Sequence, residues 1–442
     1  MKTNLFKSLM IFCLCSAIAI PSDAQFKSLK DKLKKKAENA AKSVLGDDDN
    51  SNNSGNNPSS SPNQNSGSNS SVQGKKLTPP NVMDHLGNAK SALGSEQYSN
   101  ARFEIKEAMR GVELEIGYKL LEMMPPSAAV LYPDKDKDQV YSAGVGFVGL
   151  VVSRTYGTAD KIITATIGDN SVYGASYSML INSSYAANDG NHKNVTVQGN
   201  RGAMTFDGNN TYTLGVPLAQ NSVFIMECRG CKEESEVMTA VDDFSLSGFT
   251  DLLTDNSTST SGSQQDASAL LASASSHYSS KDLESTRYDL QRSLVEVDVL
   301  IGKMILGMLP TQLNGLAMVE GSDEHVASAA GFAGVYVIRT YESADKSQKI
   351  EFSLIDDSPL MGAVSTFLSS PLMVGLSGKK TIKVDGYKGM FEQVEGSDPV
   401  EHNVSIPNNQ SLLTLNFLGV SEADANRASA QVPVGQIFGL IK

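Results

Sequence analysis

Arg102 to Lys161 align with Arg287 to Lys346 at one constant offset, without a gap. Val112, Ile116, Gly117, Leu121, Met123 and Pro125 recur as Val297, Ile301, Gly302, Leu306, Met308 and Pro310. Gly146-Phe147, Arg154-Thr155-Tyr156 and Ala159-Asp160-Lys161 recur as Gly331-Phe332, Arg339-Thr340-Tyr341 and Ala344-Asp345-Lys346. A period this long points to duplicated domains, because the units of solenoids are far shorter. It also supplies an internal control. A residue present in one copy and absent from the other is not required by the shared fold.

The regions outside the repeat indicate a compartment. Lys2 and Lys7, the apolar run Leu9 to Ile20 and Ser22-Asp23-Ala24 ahead of Gln25 read as a secretory signal peptide over residues 1–24. The run is too short to span a bilayer, which takes about 20 apolar residues. Cys13 and Cys15 lie within it, and Leu14 stands where a lipoprotein signal needs a small residue, so export without a lipid anchor is expected. Residues 25–46 form a basic arm. Its seven lysines stand against Asp31 and Glu38, a net of +5, and residues 47–442 carry −18. Phe26, Leu29, Leu33, Ala37, Ala40 and Val44 fall on one helical face. The arm is either a helix for an anionic membrane surface or a solvated flank.

Residues 47–77, rich in Asn, Ser, Asp, Gly and Pro, lack the apolar groups that offset ordering entropy and are expected to be a disordered linker. A second tract of like composition, 255–268, divides the body into units 78–254 and 269–442. Each is near the usual size of a domain, roughly 100–150 residues.

Both units read alike. Ile105, Met109, Val112, Ile116, Leu120 and Met123 keep three- and four-residue spacing, as do Leu290, Leu294, Val297, Ile301, Ile305 and Met308. The runs stop at Pro125 and Pro310, which cannot continue a helix. With a shorter helix ahead of each, they predict a helical hairpin. Strand-like sequence follows: a hairpin through Arg154-Thr155-Tyr156 to Ile167 and through Arg339-Thr340-Tyr341 to Ile355. Further strands are expected near 195–197, 203–206 and 222–226, matched by 381–384, 389–393 and 411–417. Short helices are expected at 172–181 and 233–241, matched by 360–368 and 422–430. Strands in runs with helices at their ends predict α+β: two tandem homologous domains, each a helical hairpin followed by a mostly antiparallel β-sheet.

The helical run into a proline, the Arg-Thr-Tyr strand and the segment Asp356-Asp357-Ser358-Pro359-Leu360-Met361-Gly362-Ala363 resemble a group of exported proteins of the Bacteroidota that have no established activity. The resemblance spans both units and also the signal, arm and linker. It implies the compartment and the domain plan, and it carries over no functional residue.

Few constellations promise chemistry. Cys228-Arg229-Gly230-Cys231 holds the only cysteines after the signal. A thiol–disulfide oxidoreductase places such a pair ahead of a helix, whose N-terminus stabilises the thiolate. The second unit has Phe417-Leu418-Gly419-Val420 there, so a structural disulfide is the expected reading and redox catalysis the alternative. Arg154 and Tyr156 share a strand face, as do Arg339 and Tyr341. Asp160 and Asp345, across the turn, are candidate partners for the arginines, either in a ligand-binding fork or in a structural ion pair.

Asp134 to Asp138 imitates a calcium loop but has Gln139 at the sixth position and Val145 at the twelfth. The five histidines stand apart, without metal-ligand spacing. No metal and no cofactor is implied, and the acidic body speaks against nucleic acid. The expected partners are an envelope protein or, through the arm, an anionic membrane surface. The expected function is that of a non-enzymatic exported interaction or scaffold module. A carrier of an apolar molecule is the second reading, resting on Met123, Met124, Met179, Met308, Met361 and Met373 near the expected helix–sheet boundary.

Overall fold

The computed structural model describes residues 79–142, 149–158, 160–169, 191–219, 222–254, 266–327, 334–356, 380–394 and 396–441. The fold is mixed α+β with two antiparallel sheets. Helices α1 (Val82–Gly94) and α2 (Tyr98–Met123) form the first hairpin. Helices α5 (Ala267–Ser279) and α6 (Leu283–Met308) form the second, and α6 is displaced from α2 by the repeat offset at both ends.

Local chemistry sets the helix limits. The Asn81 side chain accepts from Asp84 N, Asp266 from Ala269 N and Asp282 from Ser285 N, each satisfying a donor that helix geometry leaves free. Both long helices end ahead of Pro125 and Pro310, as expected. Their apolar stripes are buried as the spacing requires: Ile105, Met109, Val112, Ile116 and Leu120 are inaccessible, and so are Leu290, Val297, Ile301 and Ile305. Met123, 39% exposed at the helix end, departs from this, and Leu294 and Met308 are half-buried.

The first sheet has strands β1 (Gln139–Ser142), β2 (Leu150–Thr158), β3 (Lys161–Asp169), β4 (His192–Val197), β5 (Asn200–Phe206), β6 (Thr211–Pro217) and β7 (Ser222–Arg229), in the order β1-β2-β3-β7-β6-β5-β4. The second has strands β8 (Gln312–Leu313), β9 (Leu316–Met318), β10 (Glu324–Ala327), β11 (Val335–Glu342), β12 (Lys349–Ile355), β13 (Lys380–Val384), β14 (Tyr387–Val394), β15 (Glu401–Asn408) and β16 (Ser411–Leu418). Their order is β13-β14-β15-β16-β12-β11-β9-β8, with β10 also on β11.

The anticipated hairpins are β2–β3 and β11–β12, and the strands near 222 and 411 are β7 and β16. The short strands β1, β8, β9 and β10 escaped sequence reading, as did the longer β6 and β15. Each of the longer two includes a proline near its end and polar residues between apolar ones, and each is fixed by ladders on both sides. The helices expected at 172–181 and 360–368 lie outside the described residues.

Each sheet is closed by a pair of short helices. These are α3 (Glu234–Val241) and α4 (Leu246–Leu253) in the first half, and α7 (Glu422–Ser429) and α8 (Val434–Leu440) in the second. Gly117 lets the first sheet approach α2. A Cβ there would stand 2.5 Å from the Val140 side chain and 2.8 Å from that of Leu150. Helices α2 and α6 pack on each other, and one continuous cluster of buried apolar residues runs through both hairpins and both sheets. Burial of each large aliphatic side chain contributes about 1.5–3 kcal/mol.

Candidate functional site

Arg154 and Tyr156 lie on the inner face of β2 and bind the C-terminal end of α2. The Arg154 guanidinium donates to both oxygens of Asp138, at 2.9 and 2.6 Å, and to Met124 O at 3.4 Å. The Tyr156 hydroxyl donates to Pro125 O at 3.0 Å. Arg339 repeats this with Asp323 (2.7 and 2.5 Å) and Leu309 O (3.1 Å), and Tyr341 with Pro310 O (2.9 Å). Carbonyls that a helix end leaves open are thereby satisfied. The Asp138 bond raises the Arg154 pKa, and burial pushes the Tyr156 hydroxyl up to about 12.

This corrects the pairing expected from the turn. Asp160 and Asp345 are not the arginines' partners. Asp345 accepts from Ser343 Oγ at 2.6 Å and Ser347 Oγ at 2.8 Å, which lowers its carboxyl to about 2. The true partners lie in the stretch that imitates a calcium loop and in its counterpart. Asp138 and Asp323 occupy equivalent positions of the aligned block, a match that the repeat already contained.

Cys228 and Cys231 form a disulfide with Cα atoms 5.8 Å apart, and both are fully buried. Buried sulfurs offer no access to an attacking thiolate, and access is what exchange chemistry requires. Their counterparts Phe417 and Val420 are apolar and as inaccessible. The shared glycine has a backbone role. Gly230 (φ +81) and Gly419 (φ +68) face the carbonyls of Asp160 and Ser347, which a Cβ would approach to 2.0 and 2.3 Å.

Of the methionines near the expected boundary, Met124 is core, Met123 is exposed and Met308 is half-buried. Met179, Met361 and Met373 lie outside the described residues. Among the described residues no group of three or more His, Cys, Asp or Glu side chains could hold a metal ion. Nor is any helix among them long and apolar enough to cross a membrane.

Among the described residues, buried ion pairs gather where α2 meets α6. Arg102, only 1% exposed, reaches out of the first half to Asp298 of α6 at 2.6 Å and to Asp356 beyond β12 at 2.6 Å. Ser411 Oγ donates to the other Asp356 oxygen at 2.5 Å. Arg287, the repeat counterpart of Arg102, reaches the opposite way. It is bonded to Asp169 at the end of β3 and to Glu284 on its own helix at 2.9 Å, and it also faces Glu113 on α2.

Ser222 Oγ donates to Asp169 at 2.5 Å, and Ser142 Oγ donates to Glu113. Glu113 is itself the repeat counterpart of Asp298, so the two arginine–acid pairings interchange and set α2 and α6 antiparallel. Burial pushes the Glu113 carboxyl up to about 7. Arg287 and the Ser142 bond pull it down, and Asp169 adds to the rise. Burial opposes the charge on Arg287, but Asp169, Glu284 and Glu113 together hold its pKa above the ordinary arginine value.

Sequence reading missed this seam, although Arg102 and Arg287 open the aligned block. No family model, no curated protein and no solved structure matches this chain.

Proposed function

We propose that the chain is an exported, non-enzymatic module of the cell envelope, made of two duplicated α+β domains locked along one charged seam. The observation that carries this reading is the exchange of arginines. Arg102 is satisfied by Asp298 and Asp356 of the second half, and Arg287 by Asp169 of the first. Buried charges need partners, and here each arginine takes at least one from the opposite half, Arg287 adding Glu284 of its own helix.

The inner arginine–tyrosine pairs bind sheet to helix, and the cysteines bind each other. These polar groups thus serve cohesion rather than a reacting centre. The repeat in the sequence supports duplication. The signal-like N-terminus and the resemblance to exported proteins of the Bacteroidota support the envelope as its place, with an envelope protein or an anionic membrane surface as partner.

Cell fractionation tests the placement. Recovery with the envelope, with a mature N-terminus at Gln25, is expected. An unprocessed chain in the cytosol overturns it.

A further inference from the structure

Residues 128–131 close a two-residue hairpin loop, with Ala128 N to Leu131 O and Leu131 N to Ala128 O both at 2.9 Å. Its central residues, Ala129 and Val130, have φ of 46° and 61°. Two positive φ values in such a loop mark the type I′ turn, for which Asn-Gly is the favoured pair. The counterpart turn has that pair, Asn314 (φ 46°) and Gly315 (φ 83°). A β-branched residue at positive φ is an outlier, at a cost of about 1–2 kcal/mol.

The strained residue is also the barest. Val130 is 87% exposed and Tyr132, two residues on, is 79% exposed, the highest values for large apolar side chains among the described residues. Their counterparts are Gly315 and Ala317, so the common architecture requires neither side chain. The tip is firmly mounted: Ala129 N donates to Asp243 Oδ2 at 2.7 Å and Gly157 N to Tyr132 O at 2.9 Å.

We infer that the Val130–Tyr132 tip is a docking point for a lipid surface, inserting its two apolar side chains at the bilayer interface. A stable protein interface takes roughly 20–30 residues a side, far more than this tip offers. A bilayer interface can accept a single protruding turn, and tyrosine, with an apolar ring and a polar end, suits that depth. The adjoining segment, Asp134 to Asp138, has three acids and two lysines, so the tip contributes apolar contact rather than charge. The +5 arm at residues 25–46 supplies the charge, and buried apolar area and attraction to anionic lipid add in interfacial binding. This inference deepens the envelope reading and rests on it. Fractionation tests that reading, while vesicle binding tests the tip.

The chain from Gln25 onward is pelleted with phosphatidylcholine vesicles and with vesicles containing phosphatidylglycerol. Binding to both is expected, stronger to the anionic set. Val130→Gly with Tyr132→Ser is expected to weaken both by about five- to tenfold, the scale of losing two partly inserted apolar groups. Val130→Gly relieves the turn, so unfolding does not explain a loss. The sequence has no tryptophan, so Tyr132→Trp places a single tryptophan at the tip, whose emission is excited selectively over the tyrosines. Its emission should shift to the blue when phosphatidylcholine vesicles are added. Equal pelleting of parent and tip variant, no pelleting by either, an unshifted spectrum, or Val130-dependent self-association in place of vesicle binding would each overturn the inference.

Discussion

The two ends of the α2–α6 seam use one device with different amounts of charge. Arg102 meets two aspartates, Asp298 and Asp356. Arg287 faces three acids: Asp169, Glu284 and Glu113. Glu284 has Ser99 as its counterpart, and Ser142, which donates to Glu113, has Ala327. Among the described residues the Arg287 end therefore carries one acid more than the Arg102 end, and burial raises the Glu113 carboxyl to about 7. The same packing accommodates either arrangement. What it requires is an arginine reaching across, while the surrounding acids tune the pH response.

The largest effect should come from removing the arginine that is best enclosed. Arg102→Met leaves Asp298 and Asp356 buried without their cation, and breaking such a pair costs about 3–5 kcal/mol. Denaturant unfolding should show it, and a loss below about 1 kcal/mol would break the comparison by making the Arg102 end dispensable.

Next in size is the pH dependence at the Arg287 end. A carboxyl with its pKa raised from 4.5 to about 7 favours the folded state in its protonated form. Its contribution is fully present below pH 4.5 and is lost as pH rises through about 7, to a total of about 3 kcal/mol. Glu113→Gln should flatten the stability profile between those values and be the more stable protein at pH 8. If parent and variant keep the same slope from pH 5 to 8, Glu113 is not the titrating group.

The disulfide has no equivalent in the second half, so Cys228→Ala with Cys231→Ala probes another asymmetry. Closing so short a loop is worth about 2 kcal/mol, and unfolding of the variant should show that loss. A variant as stable as the parent would mean that packing alone suffices here, as it does around Phe417 and Val420.

The smallest change is a gain. Ala129→Asn with Val130→Gly gives the first half the turn residues of the second and should stabilise by about 1–2 kcal/mol. Asn314→Ala with Gly315→Val should cost a similar amount. Opposite signs in thermal unfolding support the assigned turn, and a like response from both would refute it.

The helix stripes, the proline stops and the β2–β3 and β11–β12 hairpins were legible because each is written in local periodicity. Strands β6 and β15 were not, since residues such as Gly215, Pro217 and Pro407 oppose strand formation locally and become strand only between two ladders. The arginine on β2 was legible as a structural group, but its partner was not. Nearness along the chain favoured Asp160, whereas Asp138, brought alongside by the β1–β2 segment, closes the pair.

From the sequence alone came the α+β class, the repeat, the buried faces of the long helices and the cysteine pair, all properties of spacing within one element or between two copies. Only the tertiary structure decided that Arg102 and Arg287 exchange partners and that Glu113 shares an interior with Asp169 and Arg287. Arg102 and Asp298 are 196 residues apart in the chain, and Arg287 and Asp169 are 118 apart. Periodicity says which face of a helix is buried but not which face it meets. That is settled by packing, and the cost of an unpaired buried charge then selects the partners.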